Sequence, residues 1–369
     1  MQKFVLSTIM GVESIAKKEI EKQGGKIEEV TDRLITFSGP PELIPRVNFW
    51  SRVGNKMYIL LDELDYVEDF DTLFDMVNKI HFKKYFKKNF PIVVKATSQR
   101  SVLDSIPTIQ KICKKSIVEN LNGGTGQTVL EDAELEKMEI FVLIIDNKVR
   151  ILLNTSGSAL HMRGYRIEAG EAPIKESLAA AIVLLSNWRF KEYLYDPFCG
   201  SGTIAIEALM IAKNIAPGLK RRFAFENLGL VQWEMAENER ALARKKQFDG
   251  DYKIYASDMD EKMIEIAMNN TERAGLQGGI HFSIKKFEEL LNDNLSGTLV
   301  SNPPYGGRLQ ENNLPGIYKT IDKLFRVNPK LKGGVITSYL DFDNLIKLEN
   351  YKKRKLYNGG ELCYFYRRK

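Results

Sequence analysis

Apolar positions along the chain follow two rhythms, and the change between them divides it. Lys3 to Met10 (KFVLSTIM) reads as a strand, and Val12, Ile15, Ala16 and Ile20 then take near-helical spacing until Gly24-Gly25 stops them. Lys26 to Val30 and Arg33 to Phe37 predict two short strands around Thr31-Asp32. That strand–helix–strand–strand order predicts a small ferredoxin-like α+β unit over residues 1–60. Residues 61–155 form a second region, with a helix over Phe70 to Ile80, a strand over Phe90 to Thr97 and a helix over Ile106 to Leu121. The last of these carries Ile109, Ile112, Cys113, Ile117 and Leu121 on one face and closes at Asn122-Gly123-Gly124. Glu139 to Ile145 and Val149 to Thr155 predict a hairpin across Asp146-Asn147-Lys148.

Residues 156–177 (SGSALHMRGYRIEAGEAPIKES) hold few apolar residues and predict a linker or a gating loop. From Leu178 the rhythm changes. Helix 178–190, strand 192–196, helix 203–213, strand 253–258, helix 260–274, strands 280–284 and 297–301, helix 315–327, strand 333–338 and a closing strand pair, 351–357 and 361–367, follow in turn. Such alternation predicts an α/β domain over 178–369, a mostly parallel sheet covered on both faces.

Composition narrows the class. With 369 residues, 44% apolar and 28% charged, the chain reads as a soluble globular protein of two or three domains. Its longest apolar runs, Leu178 to Leu185 and Phe141 to Ile145, fall far short of the ~20 residues that cross a bilayer. The amino-terminal stretch has no small-residue cleavage site, so a cytoplasmic location is expected. Cys113, Cys199 and Cys363 are scattered without CxxC spacing, and His81, His161 and His281 are dispersed, so neither a disulfide framework nor a metal centre is expected.

The net charge of +6 is mild, but its distribution is uneven. Lys79, Lys83, Lys84, Lys87, Lys88, Lys95 and Arg100 lie between Met76 and Leu103 with no acid until Asp104, and Phe82, Tyr85, Phe86 and Phe90 are interleaved with them. Two readings are open: a surface that tracks a phosphate backbone and stacks on bases, or a solvated lysine face with the rings buried behind it.

Two motifs carry chemistry. In EYLYDPFCGSGTIAIEA (192–208) a short strand ends at Asp196 and a Gly-rich turn leads into a helix near Thr203. Gly200 and Gly202 remove side chains where backbone must approach a ligand, and the helix start favours an anionic group. The G-K-[ST] ending of a phosphate-cradling loop is missing. The next strand, Lys253 to Asp258, ends in an acid that can accept both hydroxyls of a ribose, while Asp260 reads as a helix cap. The span from the glycine turn to Asp258 is long for one strand–helix–strand step, so Pro217 to Asp251 reads as an insertion that either covers the site, contacts substrate or is plain surface.

In the second motif, GTLVSNPPYGGRL (297–309), a strand runs into Asn302-Pro303-Pro304-Tyr305. Two prolines fix the backbone, so the Asn302 side-chain oxygen and the Pro303 carbonyl can face one cleft beside the Tyr305 ring. Two convergent acceptors suit an exocyclic amine, and an aromatic ring suits a flat base. Accepting hydrogen bonds from both N–H groups pulls the amine nitrogen toward tetrahedral geometry and aims its lone pair at an electrophilic methyl group. Positioning of this kind can supply ~7–11 kcal/mol of barrier lowering.

DPFCGSGT (196–203) resembles the first motif of S-adenosylmethionine-dependent methyltransferases, and NPPYG (302–306) the catalytic motif of those that methylate exocyclic amines. HMRGYRIEAGEAPIKESLAAA (161–181) resembles the segment before the catalytic domain of bacterial THUMP-domain RNA methylases. Within that family the chain is most similar to the enzymes that methylate the 2-amino group of guanine in 23S ribosomal RNA. The resemblance implies a ferredoxin-like segment (1–60), a THUMP RNA-binding domain (61–155), a linker (156–177) and a Rossmann-like methyltransferase domain (178–369). It implies S-adenosylmethionine as cofactor, no metal, and as partner RNA, either 23S rRNA or a large-subunit assembly intermediate.

By the same resemblance Asp196, Phe198, Gly200 and Gly202 surround the methionine part of the cofactor, Asp258 holds the ribose, and Pro173 approaches with Ala172 and Lys175 from the preceding loop. Where relatives carry an acid for the adenine amine this chain has Lys286, so that contact passes to a backbone group or to Phe287. Asn302, Pro303 and Tyr305 hold the target base. Gly307 stands where relatives often have an acid, which leaves Arg308 without a fixed role. Lys83, Lys84, Lys87, Lys88, Arg100, Arg163 and Arg308 are the expected RNA contacts, with Arg166 and the basic cluster at 220–222 beside them. Competing readings are an adenine 6-amino methyltransferase, a tRNA guanine methyltransferase and, from another class, a non-catalytic RNA-binding assembly factor.

Overall fold

Strands β1 (Gln2–Thr8), β2 (Lys26–Thr31), β3 (Leu34–Gly39), β4 (Gly54–Leu64), β5 (Ile92–Gln99), β6 (Met138–Ile145) and β7 (Lys148–Asn154) form one sheet in the order β2-β3-β1-β4-β7-β6-β5. The computed structural model describes residues 1–86, 90–123, 134–168, 173–305, 314–347 and 351–368. The sheet is antiparallel except for β5 and β6, which run parallel because helix α4 (Ile106–Asn122) carries the chain back between them. Helices α1 (Glu13–Lys22), α2 (Leu43–Trp50) and α3 (Phe70–Asn78) also belong to this region. Phe4, Leu6, Phe37, Ile59, Ile140 and Ile151 are fully buried beneath the sheet, each adding ~1.5–3 kcal/mol through burial.

Two of these elements are absent from the sequence expectation. Helix α2 (LIPRVNFW) has seven of its eight residues buried, so no polar face marks a 3.6-residue period. Strand β4 spans Gly54–Leu64, so the boundary drawn at residue 60 falls inside a strand. Residues 1–60 and 61–155 share this one sheet.

By contacts the chain divides into two units, and the dividing line is not linear in sequence. The first comprises Met1–Thr8, Ala16–Leu160 and Arg222–Leu242; the second comprises Ile9–Ile15, His161–Arg221 and Ala243–Lys369. The middle of the expected insertion, residues 222–242, falls in the first unit: Phe223 and Phe225 meet Phe49 at 5.6 and 5.9 Å between ring centres, and the Phe225 N–H donates to Thr155 O (2.9 Å). Arg46 Nε donates to Glu239 (3.0 Å) on helix α7 (Trp233–Lys245).

The second unit is built on β8 (Leu194–Asp196), β9 (Ile254–Asp258), β10 (His281–Ile284), β11 (Gly297–Ser301), β12 (Leu331–Thr337), β13 (Tyr351–Asn358) and β14 (Glu361–Arg368). Their order is β10-β9-β8-β11-β12-β14-β13, parallel from β10 through β12, with β14 antiparallel between β12 and β13. Helices α5 (Glu176–Ser186), α6 (Thr203–Ala212), α8 (Glu261–Ala274), α9 (Leu314–Val327) and α10 (Phe342–Leu345) flank it. This is the Rossmann-like α/β sheet expected from residue 178 onward.

The expected linker is partly buried among its described residues. Leu160, Arg163, Tyr165 and Ile174 are buried, and residues 161–168 belong to the second unit. No helix among the described residues is long and apolar enough to cross a membrane.

Candidate functional site

The strand order reverses between β8 and β11, which sit side by side with Leu299 opposite Tyr195. In open parallel sheets ligands bind at such a switch point, beyond the carboxyl ends of the strands. Both sequence motifs leave from there. The Gly-rich turn follows Asp196 at the end of β8, and Asn302-Pro303-Pro304-Tyr305 follows Ser301 at the end of β11.

The two loops are tied at their roots. Ser301 Oγ donates to Asp196 Oδ1 (2.5 Å) and accepts from the Phe198 N–H (3.3 Å). Asp196 is buried, and its other oxygen, Oδ2, has no hydrogen-bond partner among the described residues. Burial pushes its carboxyl up to about 7 against the lowering effect of Ser301 and the Phe198 N–H, and the charge of Asp258 adds to the rise.

Gly200 (φ +49°) and Gly202 (φ +79°) both take the left-handed conformation. A Cβ at Gly202 would sit 3.0 Å from Ala267 Cβ, so glycine there lets α6 start hard against α8. A Cβ at Gly200 would meet no atom of the described residues within 4 Å. The Gly200 N–H donates to Asp258 Oδ2 (3.0 Å), and the Asp260 N–H donates to Asp258 Oδ1 (3.1 Å). Each carboxylate oxygen keeps a second lone pair, so Asp258 can still accept from a ligand. Asp260 caps α8 by accepting from Lys262 N–H (2.9 Å), the role expected of it.

Phe287 packs on Phe198 at 4.7 Å between ring centres and is buried, which puts it beside the Gly-rich turn. Pro173 precedes Ile174, whose carbonyl accepts from Arg166 Nη1 (2.6 Å). The same guanidinium reaches Thr203 Oγ1 (3.4 Å) and Glu176 (3.0 Å), so Arg166 fastens the preceding loop to the start of α6.

On the second loop, Asn302 Oδ1 is a buried acceptor with no partner among the described residues. Pro303 is buried, and the Pro304 carbonyl accepts from the Tyr318 hydroxyl (3.2 Å) of α9. Tyr305 corrects the expectation of an open stacking ring. It is only 2% exposed, and its hydroxyl accepts from Asn358 Nδ2 (3.4 Å). Lys87, Lys88, Ala172, Gly307 and Arg308 lie outside the described residues.

The expected RNA contacts divide. Lys83 and Lys84 are exposed. Phe82, Tyr85 and Phe90 are buried, so this stretch is a lysine surface backed by core aromatics and offers none of those rings to a base. Arg100 is exposed but held in a two-point pair by Asp146, both contacts at 2.7 Å. Arg163 is corrected outright. It is buried against Glu207 of α6 at 3.4 Å, with Tyr165 donating to the same carboxylate (3.2 Å), because this arginine neutralises a buried acid.

The family described as "RMKL-like, methyltransferase domain" matches residues 163–366, and "RlmL ferredoxin-like domain" matches residues 3–58. The chain belongs to the RMKL-like methyltransferase family. It is 37% identical to YpsC of Bacillus subtilis (strain 168), an RNA methyltransferase candidate, over 97% of this chain and 94% of that one. It is 31% identical to the ribosomal RNA large subunit methyltransferase K/L of Aliivibrio salmonicida over 98% of this chain. The chain spans about half, 53%, of that relative's length. Among solved structures it resembles the methyltransferase candidate SMU.472 complexed with SAH, with TM-score 0.91, 32% identity, 100% of this chain and 97% of the other.

In this RMKL-like methyltransferase two supporting residues escaped the sequence expectation. Asn270, fully buried on α8, donates to Ser201 O (3.0 Å) and Glu168 O (3.3 Å), gripping the Gly-rich turn from behind. Its only signal is a polar residue where the Ile264–Ala267 spacing calls for an apolar one. Asn358 joins the Lys175 N–H (3.4 Å) to Tyr305. A hairpin tip gives no sequence sign of such a role. Among the described residues no three His, Cys, Asp or Glu side chains are grouped to hold a metal ion.

Proposed function

We propose that the protein transfers a methyl group from S-adenosylmethionine to the exocyclic 2-amino group of a guanine in structured RNA, with 23S rRNA as the substrate. The reading is carried by Asn302 Oδ1, a buried acceptor at the end of β11 without a donor among the described residues. Leaving such an atom unpaired costs ~1–3 kcal/mol, so the site favours a ligand that brings an N–H. The Asn-Pro-Pro-Tyr setting, the RMKL-like family and the K/L relatives' ribosomal RNA substrate support an aromatic amine on RNA. SAH, found with SMU.472, is what remains of S-adenosylmethionine after its methyl leaves, and the open space at Gly200 and the unpaired Asp196 oxygen suit the same ligand.

When bound, that cofactor supplies an electrophilic methyl on a sulfonium. Asp196 and the Gly-rich turn would hold its methionine part, Asp258 its ribose, and Phe287 with Phe198 its adenine. Asn302 and the Pro303 carbonyl would accept from the two amine hydrogens, and Tyr305, being buried, would support the loop from beneath. Residues 61–155, which share the first sheet with residues 1–60, would act as its THUMP-type RNA-binding part, with Lys83 and Lys84 on the surface. Arg100 would take part only if it left Asp146.

Undermodified 23S rRNA, incubated with the protein and labelled S-adenosylmethionine, is expected to yield 2-methylguanosine in nucleoside mass analysis. Methyladenosine as the product would refute the guanine assignment, and transfer to tRNA alone would refute the ribosomal one.

A pH dependence follows from Asp196. The cofactor's methionine part carries an ammonium, which the ionised carboxylate holds. With the carboxyl raised to about 7, acidification through neutrality protonates it and removes that attraction. Calorimetric titration with SAH is expected to show affinity falling below about pH 7, by at most about ten-fold per pH unit. Asp196→Asn should bind weakly at every pH and flatten the profile.

A further inference from the structure

Four consecutive cations, Lys352-Lys353-Arg354-Lys355, lie in β13, the edge strand of the catalytic sheet, between Tyr351 and Tyr357. Lysines on an edge strand ordinarily block pairing with another chain. Here the alternation of the strand sorts them. Arg354 turns to one face, where its Nε donates to Gly11 O (2.8 Å), and the next residue on that face, Leu356, is fully buried. Lys353 and Lys355 turn to the other, opposite Tyr366 and Tyr364 of β14.

On that second face lysines and tyrosines interleave. Lys353 Nζ lies 4.0 Å from the centre of the Tyr364 ring and 5.3 Å from that of Tyr366, and Lys355 Nζ lies 5.7 Å from Tyr357. Asp343 pairs with Lys353. The face leads toward the catalytic loop. Tyr364 and Tyr339 pack on the same apolar cluster, and Tyr339 stacks on Tyr318 at 4.9 Å. The Tyr318 hydroxyl donates to Pro304 O, inside the Asn-Pro-Pro-Tyr turn. An edge guard needs charge alone; it has no use for rings set between the charges or for continuity with the site.

We propose that the face formed by Lys353, Lys355, Tyr357 and Tyr364 is a track for the single-stranded RNA that flanks the target base. It rests on the reading that the substrate is RNA. Ammonium groups meet the phosphates, and tyrosine rings take bases by stacking without selecting sequence.

The test is fluorescence anisotropy with the full chain and a labelled single-stranded oligoribonucleotide of about 12 nucleotides, across a salt series. Lys355→Gln is expected to weaken binding several-fold and to lower the slope of log affinity against log salt by about 0.7. Tyr357→Leu should cost roughly ten-fold with the slope unchanged. Both should raise KM for RNA with kcat retained, and both should bind SAH as the parent does, which reports a folded catalytic unit. Lys330→Gln, an exposed lysine elsewhere on this unit, should change nothing. If the parent binds RNA and the two track variants bind it equally well, the track is overturned while the RNA reading stands. If the parent neither binds nor methylates RNA, both fall, and a protein partner becomes the better occupant of this face.

Discussion

Asn302→Ala is expected to bind SAH as tightly as the parent and to lose turnover by on the order of 10²–10³-fold. That is the range found when one preorganised hydrogen-bonding group is removed from a reacting centre. The Asn302 oxygen is buried and has no partner among the described residues. Its loop is held independently of it, by Ser301 on Asp196 and by Tyr318 on Pro304, so truncating the side chain leaves the backbone in place. The cofactor elements stand on β8 and β9, which Asn302 does not touch in any described hydrogen bond. Calorimetry with SAH and single-turnover methylation separate the two effects. Undiminished turnover would remove Asn302 from the chemistry; lost SAH binding would make it a structural residue.

The second large effect is on stability. Arg163→Ala leaves Glu207, which is fully buried, without its guanidinium, and breaking a buried pair this way costs about 3–5 kcal/mol. In a unit of this size that lowers the melting temperature by roughly 10 °C. Pairing Arg163→Met with Glu207→Gln should recover most of the loss, because the acid goes with its partner while Tyr165 keeps an oxygen to donate to. Scanning calorimetry of the single and the double variant against the parent checks this. An RNA-contacting Arg163 would behave otherwise: melting unchanged, and RNA affinity weaker with a shallower salt dependence.

Arg163 and Lys353 show where inference from residue type reaches its end. A basic residue in a Gly-containing, apolar-poor stretch reads as surface, because nothing local reveals that Glu207, forty-four positions on, is buried and must be neutralised. Lys353 and its neighbours read as an ordinary strand, because their alignment with Tyr364 and Tyr366 exists only once β13 pairs with β14. The rings at 82, 85 and 90 match both a stacking surface and a core in composition, and only packing separates the two.

Local signals did determine much of this protein. Glycines with positive φ, consecutive prolines, a capping Asp260 and the 2.0 and 3.6 periods act over a few residues, so they survive in the linear order. From them come the parallel sheet, the turn after Asp196 and the rigid turn at Asn302. Tertiary structure alone decided that strands β1 to β7 share one sheet, that residues 222–242 of the Pro217–Asp251 insertion pack within the first unit, that Asn270 and Asn358 brace the loops, and that Tyr305 is buried. Each of those depends on contacts between residues far apart in the chain, whose burial and pairing are set by the whole fold and leave no periodic mark.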